Sequence, residues 1–178
     1  MKKHLLVLAL AAVPAFAFAA PNTINFQGEV TDQTCQVTVN GNPGNPTVLL
    51  PTVPATALSA ANSTAGQTTF TVAVSDCMAP VSTTQAINTV FVGNLVTTAG
   101  NLGNTGTATN VALQLLDPAL PAAPFDLSAA GGVYAPGLQL QVGDTAAAHD
   151  FAVQYISETG AATAGSVLGS VQYSVNYE

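Results

Sequence analysis

Period-two alternation of apolar and polar residues recurs along this chain of 178 residues and constrains its fold more than any other feature. A strand buried on one face produces this pattern, because successive side chains point to opposite sides of a sheet. Seven segments alternate in this way and one further segment is a continuous apolar run: 24–30, 35–39, 70–74, 111–115, 138–142, 151–155, 171–177 and, continuous, 87–93. Clusters of Gly, Pro, Asn and Thr between them predict turns. The pattern predicts one all-β sandwich domain, with Ala55 to Ala61 as the only helix candidate.

The beginning of the chain has the three parts of a secretory signal peptide. A basic start, Met1 to His4, precedes an apolar stretch, Leu5 to Phe16, and Ala17-Phe18-Ala19 places small residues where a signal peptidase reads them. The apolar stretch is shorter than the roughly 20 residues that a membrane-spanning helix needs. We therefore expect cleavage after Ala19, export of the mature chain and no direct membrane span.

Cleavage at that position would leave a mature chain without any Lys or Arg. Lys2 and Lys3 are the only such residues, so the formal net charge would move from −7 to −9, with nine Asp and Glu remaining. Contacts to nucleic-acid phosphates and attraction to anionic lipid both depend on basic side chains, so neither partner is expected. Charged residues make up 6% of the chain, against about a quarter in an ordinary globular protein. Such scarcity indicates a surface that is largely buried in an assembly.

The two cysteines of the chain, Cys35 and Cys77, form an even count in an exported protein. Such a count predicts a disulfide. The alternative is a pair of metal-binding or catalytic thiols. Two thiols and His149, the one histidine after the signal segment, do not complete a four-ligand zinc site without carboxylates. The disulfide is therefore the preferred interpretation.

No combination of residues in the mature sequence is typical of an active site. His149 is the only imidazole there, and its neighbour Asp150 would point to the other side of a strand, so we interpret His149 as a solvated residue before a strand. No serine lies in a G-x-S-x-G elbow, and the glycine-rich segment Gly100 to Gly106 lacks the lysine of a phosphate loop. The carboxylates are scattered singly and predict no calcium site. We expect no enzyme activity, no cofactor and no metal.

Four features, in chain order, resemble the chaperone–usher pilins of the type 1 fimbrial major subunit family. The first is the start of the mature chain, Thr23 to Val30, with Cys35 five residues later, and the second is the strand from Thr68 to Cys77. The third is the segment Thr109 to Asp117, preceded by Gly106 as the leading glycine. The fourth is the C-terminus, where Tyr177 is penultimate and Gly165 is fourteenth from the end. The resemblance covers essentially the whole mature chain.

The resemblance implies an all-β, incomplete immunoglobulin-like β-sandwich that is completed by strand donation from a neighbouring subunit. Residues 1–19 would be the signal peptide, 20–33 the N-terminal donor-strand extension and 34–178 the pilin domain. The donor residues would be Ile24, Phe26, Gly28 and Val30. The acceptor groove and chaperone contact would comprise Val171, Tyr173, Val175, Tyr177 and Gly165.

The function that the resemblance implies is that of a structural subunit of an adhesive fimbria, or pilus, polymerising by donor-strand exchange. Its partners would be other pilin subunits in a homopolymer, a periplasmic chaperone and an outer-membrane usher. The route would lead through the periplasm to the fimbrium at the cell surface. Three alternatives stay open: a minor pilus subunit, a self-complemented periplasmic binding sandwich, and a periplasmic hydrolase that would depend on His149.

Overall fold

Eight β-strands form almost all the regular structure of residues 35–178, the part of the chain that a computed structural model describes. The strands are β1 Gln36–Val39, β2 Ser63–Ser75, β3 Gln85–Gly93, β4 Leu102–Gly103, β5 Ala112–Leu116, β6 Val133–Leu140, β7 Ala147–Ser157 and β8 Val171–Tyr177. The helix candidate is a single 3-10 turn, Ala55–Leu58. The expected cleavage site and the expected donor residues Ile24, Phe26, Gly28 and Val30 lie outside the described residues.

The strands form two antiparallel sheets. One has five strands in the order β1-β2-β7-β5-β4, and the other has three in the order β6-β3-β8. β8 is therefore an edge strand, and its register with β3 runs from Val171 opposite Gly93 to Tyr177 opposite Ile87. The prediction of an all-β fold is confirmed. No helix among residues 35–178 is long and apolar enough to span a bilayer.

The core lies between the two sheets and follows the alternation read from the sequence. In β2 the side chains of Phe70, Val72 and Val74 are buried, while the intervening residues are partly exposed. The ring of Phe91 from the smaller sheet meets those of Phe70 and Phe151 from the larger one at centroid distances of 6.4 Å and 5.2 Å. Burial of each such side chain contributes about 2–3 kcal/mol. These rings thus form part of the apolar core that holds the two sheets together.

Strand β5 departs from the expected pattern because it is buried on both faces. Ala112, expected on the wetter face, is 4% exposed, and Leu116 is fully buried. The same outer face carries a chain of amide hydrogen bonds, from Gln154 to Gln114 at 2.9 Å and from Gln114 to Asn101 at 3.2 Å. The loop that contains Asn101 thus lies over this face of the sheet.

The disulfide predicted from the cysteine count is formed. Cys35, directly before β1, is bonded to Cys77, two residues after the end of β2, with a Cα–Cα distance of 4.2 Å. The bond fastens the first described residue to the larger sheet, where Gln36 pairs with Ser75. The chain therefore enters the domain at a fixed point.

Candidate functional site

A groove of about 850 Å³ separates the edge strand β8 from the segment 44–50. Its floor consists of core side chains from both sheets: Phe70, Phe91, Leu102, Leu113, Leu115 and Val153. Val48 and Leu50 line one wall, and Val171 and Tyr173 line the other. The cleft therefore runs along the hydrophobic core, whose floor side chains are at most 7% exposed.

The β8 wall of the groove is apolar but incompletely buried. Val171, Tyr173, Val175 and Tyr177 all pack against the core, and all four remain partly exposed. Ile87 and Phe91 of the neighbouring β3 are at most 2% exposed. Within residues 35–178, β8 pairs with β3 on one side and with no strand on the other. An edge of this kind presents backbone donors and acceptors to any strand that approaches it.

The opposite wall is irregular chain. Segment 44–50 forms no strand, and Pro46 and Pro51 have no N–H to contribute to a ladder. The Gly44 carbonyl accepts a hydrogen bond of 2.9 Å from the Tyr173 hydroxyl, which crosses from the β8 wall. This hydrogen bond bridges the two walls.

The predicted acceptor residues do not all lie in the groove. Val171 and Tyr173 line it, while Val175 and Tyr177 continue the same face of β8 toward its end without being part of the lining. Gly165 lies apart, in a second pocket of about 340 Å³ on the connection between β7 and β8. The roles assigned to these residues stay predictions.

The second pocket continues the line of the groove. Val53 and Leu58 bound it on one side and Gly165 and Val167 on the other, with Tyr155 also in its lining. The same two stretches of chain, 44–58 and 162–173, therefore flank both cavities. Sequence reasoning missed this extension because 44–54 shows no strand or helix periodicity and the helix candidate Ala55 to Ala61 does not indicate a pocket. The signal that was available is the spaced apolar set Val48, Leu50, Val53 and Leu58.

The 162–173 stretch, which carries Gly165, is hydrogen-bonded to segment 104–110. We call the place where these two irregular segments meet the crossing. Thr105 N–H donates to the Leu168 carbonyl at 2.8 Å, and Ala108 N–H donates to the Ser166 carbonyl at 3.0 Å. The Ser166 N–H also donates to the Thr107 hydroxyl at 2.9 Å. A Cβ on Gly165 would overlap the backbone of Ala108. The crossing therefore depends on the absence of a side chain at Gly165.

Gly106 lies on the opposing chain of this crossing, where a Cβ would overlap the Ser166 carbonyl. The two glycines that carried the family resemblance, Gly106 and Gly165, thus meet in one place. Nothing in their local sequence shows this, because Gly106 and Ser166 are sixty residues apart in the chain.

No Asp, Glu or His side chain of residues 35–178 lines the groove. His149 was expected before a strand that starts at Phe151, but it lies within β7. The strand starts at Ala147, which pairs with Val74. Its Nε2 is 3.1 Å from Asp117 Oδ2, and its ring packs against Phe151. At another surface site, hydrogen bonds from the Ser128 hydroxyl and N–H lower the pKa of Asp126. Among residues 35–178, no three His, Cys, Asp or Glu side chains are grouped as a metal site.

Comparison with known protein families identifies the family of this chain. A family model described as fimbrial protein matches residues 24–178. The chain belongs to the fimbrial protein family. Members of this family are structural subunits of surface fimbriae, and this chain is a structural pilus subunit located in a fimbrium, where it assembles with other subunits.

Curated relatives match nearly the whole chain. The F17 fimbrial protein of Escherichia coli is 36% identical, with 99% of this chain and 98% of the relative covered. The major fimbrial subunit SMF-1 of Stenotrophomonas maltophilia is 36% identical, with 94% and 99% covered. The minor fimbrial subunit HifD of Haemophilus influenzae is 32% identical, with 98% and 82% covered.

Solved structures show the same fold. The P pilus rod subunit PapA superposes with a TM-score of 0.58 at 10% identity, covering 80% of this chain and 99% of that one. A subunit in the structure of a chaperone-usher pilus gives a TM-score of 0.58 at 12% identity, covering 93% and 100%. The fold is thus the incomplete immunoglobulin-like sandwich of chaperone–usher pilins, and the resemblance identified from the sequence is confirmed.

Proposed function

We propose that this subunit polymerises by donor-strand exchange, with residues 20–33 of one copy occupying the groove of another. The observation that carries the proposal is the groove of about 850 Å³ beside an edge strand, floored by core side chains. Strand addition to such an edge supplies main-chain hydrogen bonds and fits alternate side chains into pockets.

The alternating segment 24–30 has the chemistry that this groove requires. Ile24, Phe26 and Val30 would point toward the floor, and Gly28 would suit a shallow position on the same face. Seven extended residues reach about 20–23 Å, a length comparable with that of β8, which also has seven residues. The donor segment would therefore be long enough to lie alongside β8.

A groove with a partly exposed apolar wall supports the proposal of a periplasmic chaperone and an outer-membrane usher. An open apolar cleft next to an edge strand favours aggregation unless another chain covers it. We infer that residues 1–19 direct export, that a chaperone covers β8 during passage through the periplasm, and that exchange for the extension of the next subunit takes place at the usher. The same geometry supports a purely structural role without catalysis.

A minor-subunit role is the second candidate, favoured by the similarity to HifD over 98% of this chain. Both roles use the same groove and differ in subunit order within the fibre. Electron microscopy of cells with and without the gene product separates them. Cells lacking a shaft subunit would carry no fibres, whereas cells lacking a minor subunit would still carry them.

Deletion of residues 20–31 tests the donor strand. We expect the deleted chain to remain a chaperone-bound monomer and to bind a synthetic peptide of residues 20–33, while a peptide with Phe26→Asp should not bind. Normal fibres from the deleted chain would contradict the proposal. A stable monomer of the intact chain, with its own extension in its own groove, would favour the self-complemented sandwich instead.

A further inference from the structure

The two ends of the domain differ in charge. The disulfide end, where the 77–84 and 141–146 loops lie beside the end of β8, carries three carboxylates: Asp76, Asp144 and Glu178. The opposite end is formed by segments 44–62, 103–110 and 159–170, which contain no charged residue, with Glu158 and Asp126 beside the neighbouring loop 97–101. Hydrogen bonds from Asn62 to Ser157 and from Ala161 to Ser59 close that end.

The disulfide end also carries exposed apolar side chains. Met78 and Val142 are each 52% exposed, and Val81 is 91% exposed. Their two loops run side by side, since Gly143 N–H donates to the Pro80 carbonyl at 2.9 Å. We call Met78, Val81 and Val142 the tip patch.

A second exposed apolar pair lies toward the opposite end. Leu95 is 50% exposed and Leu168 is 59% exposed. The carbonyls of both residues accept hydrogen bonds from one short stretch of chain, Leu95 from Gly103 and Leu168 from Thr105. Leu168 is three residues before Val171, the first residue of β8.

If the extension of one copy donates its strand to another, the path of the chain brings the tip patch of the donor toward Leu95 and Leu168 of the acceptor. The inference therefore rests on the proposed function. A strand pairing antiparallel with β8, as every described strand pair does, would end with Val30 beside Val171 of the acceptor. Five residue steps from Val30 to Cys35 span at most about 17 Å. Because Cys35 is bonded to Cys77, next to Met78, this linker brings the donor's tip patch within reach of the end of the acceptor that carries Leu168.

Charge favours this direction over the reverse one. A parallel donor would bring two disulfide ends together and oppose the three carboxylates of each copy. An antiparallel donor places those carboxylates against an end with fewer of them, Glu158 and Asp126, both of which accept hydrogen bonds within their own chain. Like charges across an interface suppress association, so the head-to-tail arrangement is preferred.

We propose that the tip patch of one copy packs on Leu168 and Leu95 of the preceding copy, as an apolar contact that adds to the donor strand. The contact joins different surfaces of identical chains, and such a contact propagates into an open filament. Its partner is therefore a second copy of this chain.

Val81→Asp in the mature chain tests the contact. We expect its polymerisation rate, followed by light scattering, to fall roughly tenfold, since a carboxylate would be placed in an apolar interface of acidic copies. Combining Val81→Asp with Leu168→Arg should restore the rate, because the two positions face each other only between copies. Leu120→Asp, which introduces the same charge at a residue that is 63% exposed in a different loop, should polymerise as the unaltered chain does.

Binding of the peptide of residues 20–33 distinguishes this inference from the donor-strand proposal. The Val81→Asp chain should bind that peptide as tightly as the unaltered chain. Equal polymerisation of Val81→Asp and the unaltered chain, equal slowing by Leu120→Asp, or no rescue by Leu168→Arg would overturn the end contact. Failure of the unaltered chain to bind the peptide would instead overturn donor-strand exchange.

Discussion

The hydroxyl of Tyr173 donates a hydrogen bond of 2.9 Å to the carbonyl of Gly44, and this bond joins the two walls of the groove. A strand that enters between β8 and segment 44–50 has to pass this point. The bond therefore acts against strand entry, while the tyrosine ring keeps its place in the apolar wall.

Tyr173→Phe should accelerate strand entry. The substitution removes the hydroxyl and keeps the ring, so the loss is one exposed hydrogen bond, worth about 1 kcal/mol or roughly a fivefold change in rate. Stopped-flow association of a labelled peptide of residues 20–33 measures this. Tyr134→Phe, on a residue that does not line the groove, serves as the matched control, and equal rates for both variants and the unaltered chain would contradict a barrier at Tyr173.

Removal of the disulfide should destabilise the domain. Closing the loop between Cys35 and Cys77, with a sequence separation of 42, restricts the unfolded chain by about 4 kcal/mol in the loop-entropy description. The double variant Cys35→Ser with Cys77→Ser should therefore lose about 2–4 kcal/mol of unfolding free energy in urea. Reductant should lower the stability of the unaltered chain to a similar extent and leave the double variant unchanged; a response of the double variant to reductant would argue against this origin.

Much of the sandwich could be predicted from the sequence, because strands such as β2 and β8 bury one face and so alternate. The disulfide followed from the even count of cysteines in an exported chain. The second wall of the groove could not be predicted, since segment 44–50 is irregular and leaves no periodic signal. The burial of both faces of β5 was equally hidden, because it depends on the loop around Asn101. These features are set by contacts between distant parts of the chain.

Gly165→Ala should weaken the crossing that supports the β7–β8 connection. The added Cβ would overlap the backbone of Ala108, so the chains must separate and their hydrogen bonds lengthen. We expect a loss of about 1–3 kcal/mol in unfolding free energy and faster amide exchange at Ala108. Gly143→Ala is the control, since a Cβ there meets nothing within 4 Å and only its positive φ of 88° is unfavourable. A loss no larger than that of the control would show that close approach at Gly165 is not required.

Assembly should become faster as salt rises. Residues 35–178 contain no Lys or Arg and seven carboxylates, so approaching copies repel each other and have no basic groups with which to form salt bridges. Salt shortens the Debye length from about 30 Å at 0.01 M to about 10 Å at 0.1 M and so screens this repulsion. The polymerisation rate of the purified chain should therefore increase between these concentrations of sodium chloride. Asp144→Asn, which removes one carboxylate at the disulfide end, should assemble faster at low salt and gain less from added salt. Slower assembly at higher salt would mean that charge attraction, rather than apolar contact and strand pairing, drives the association.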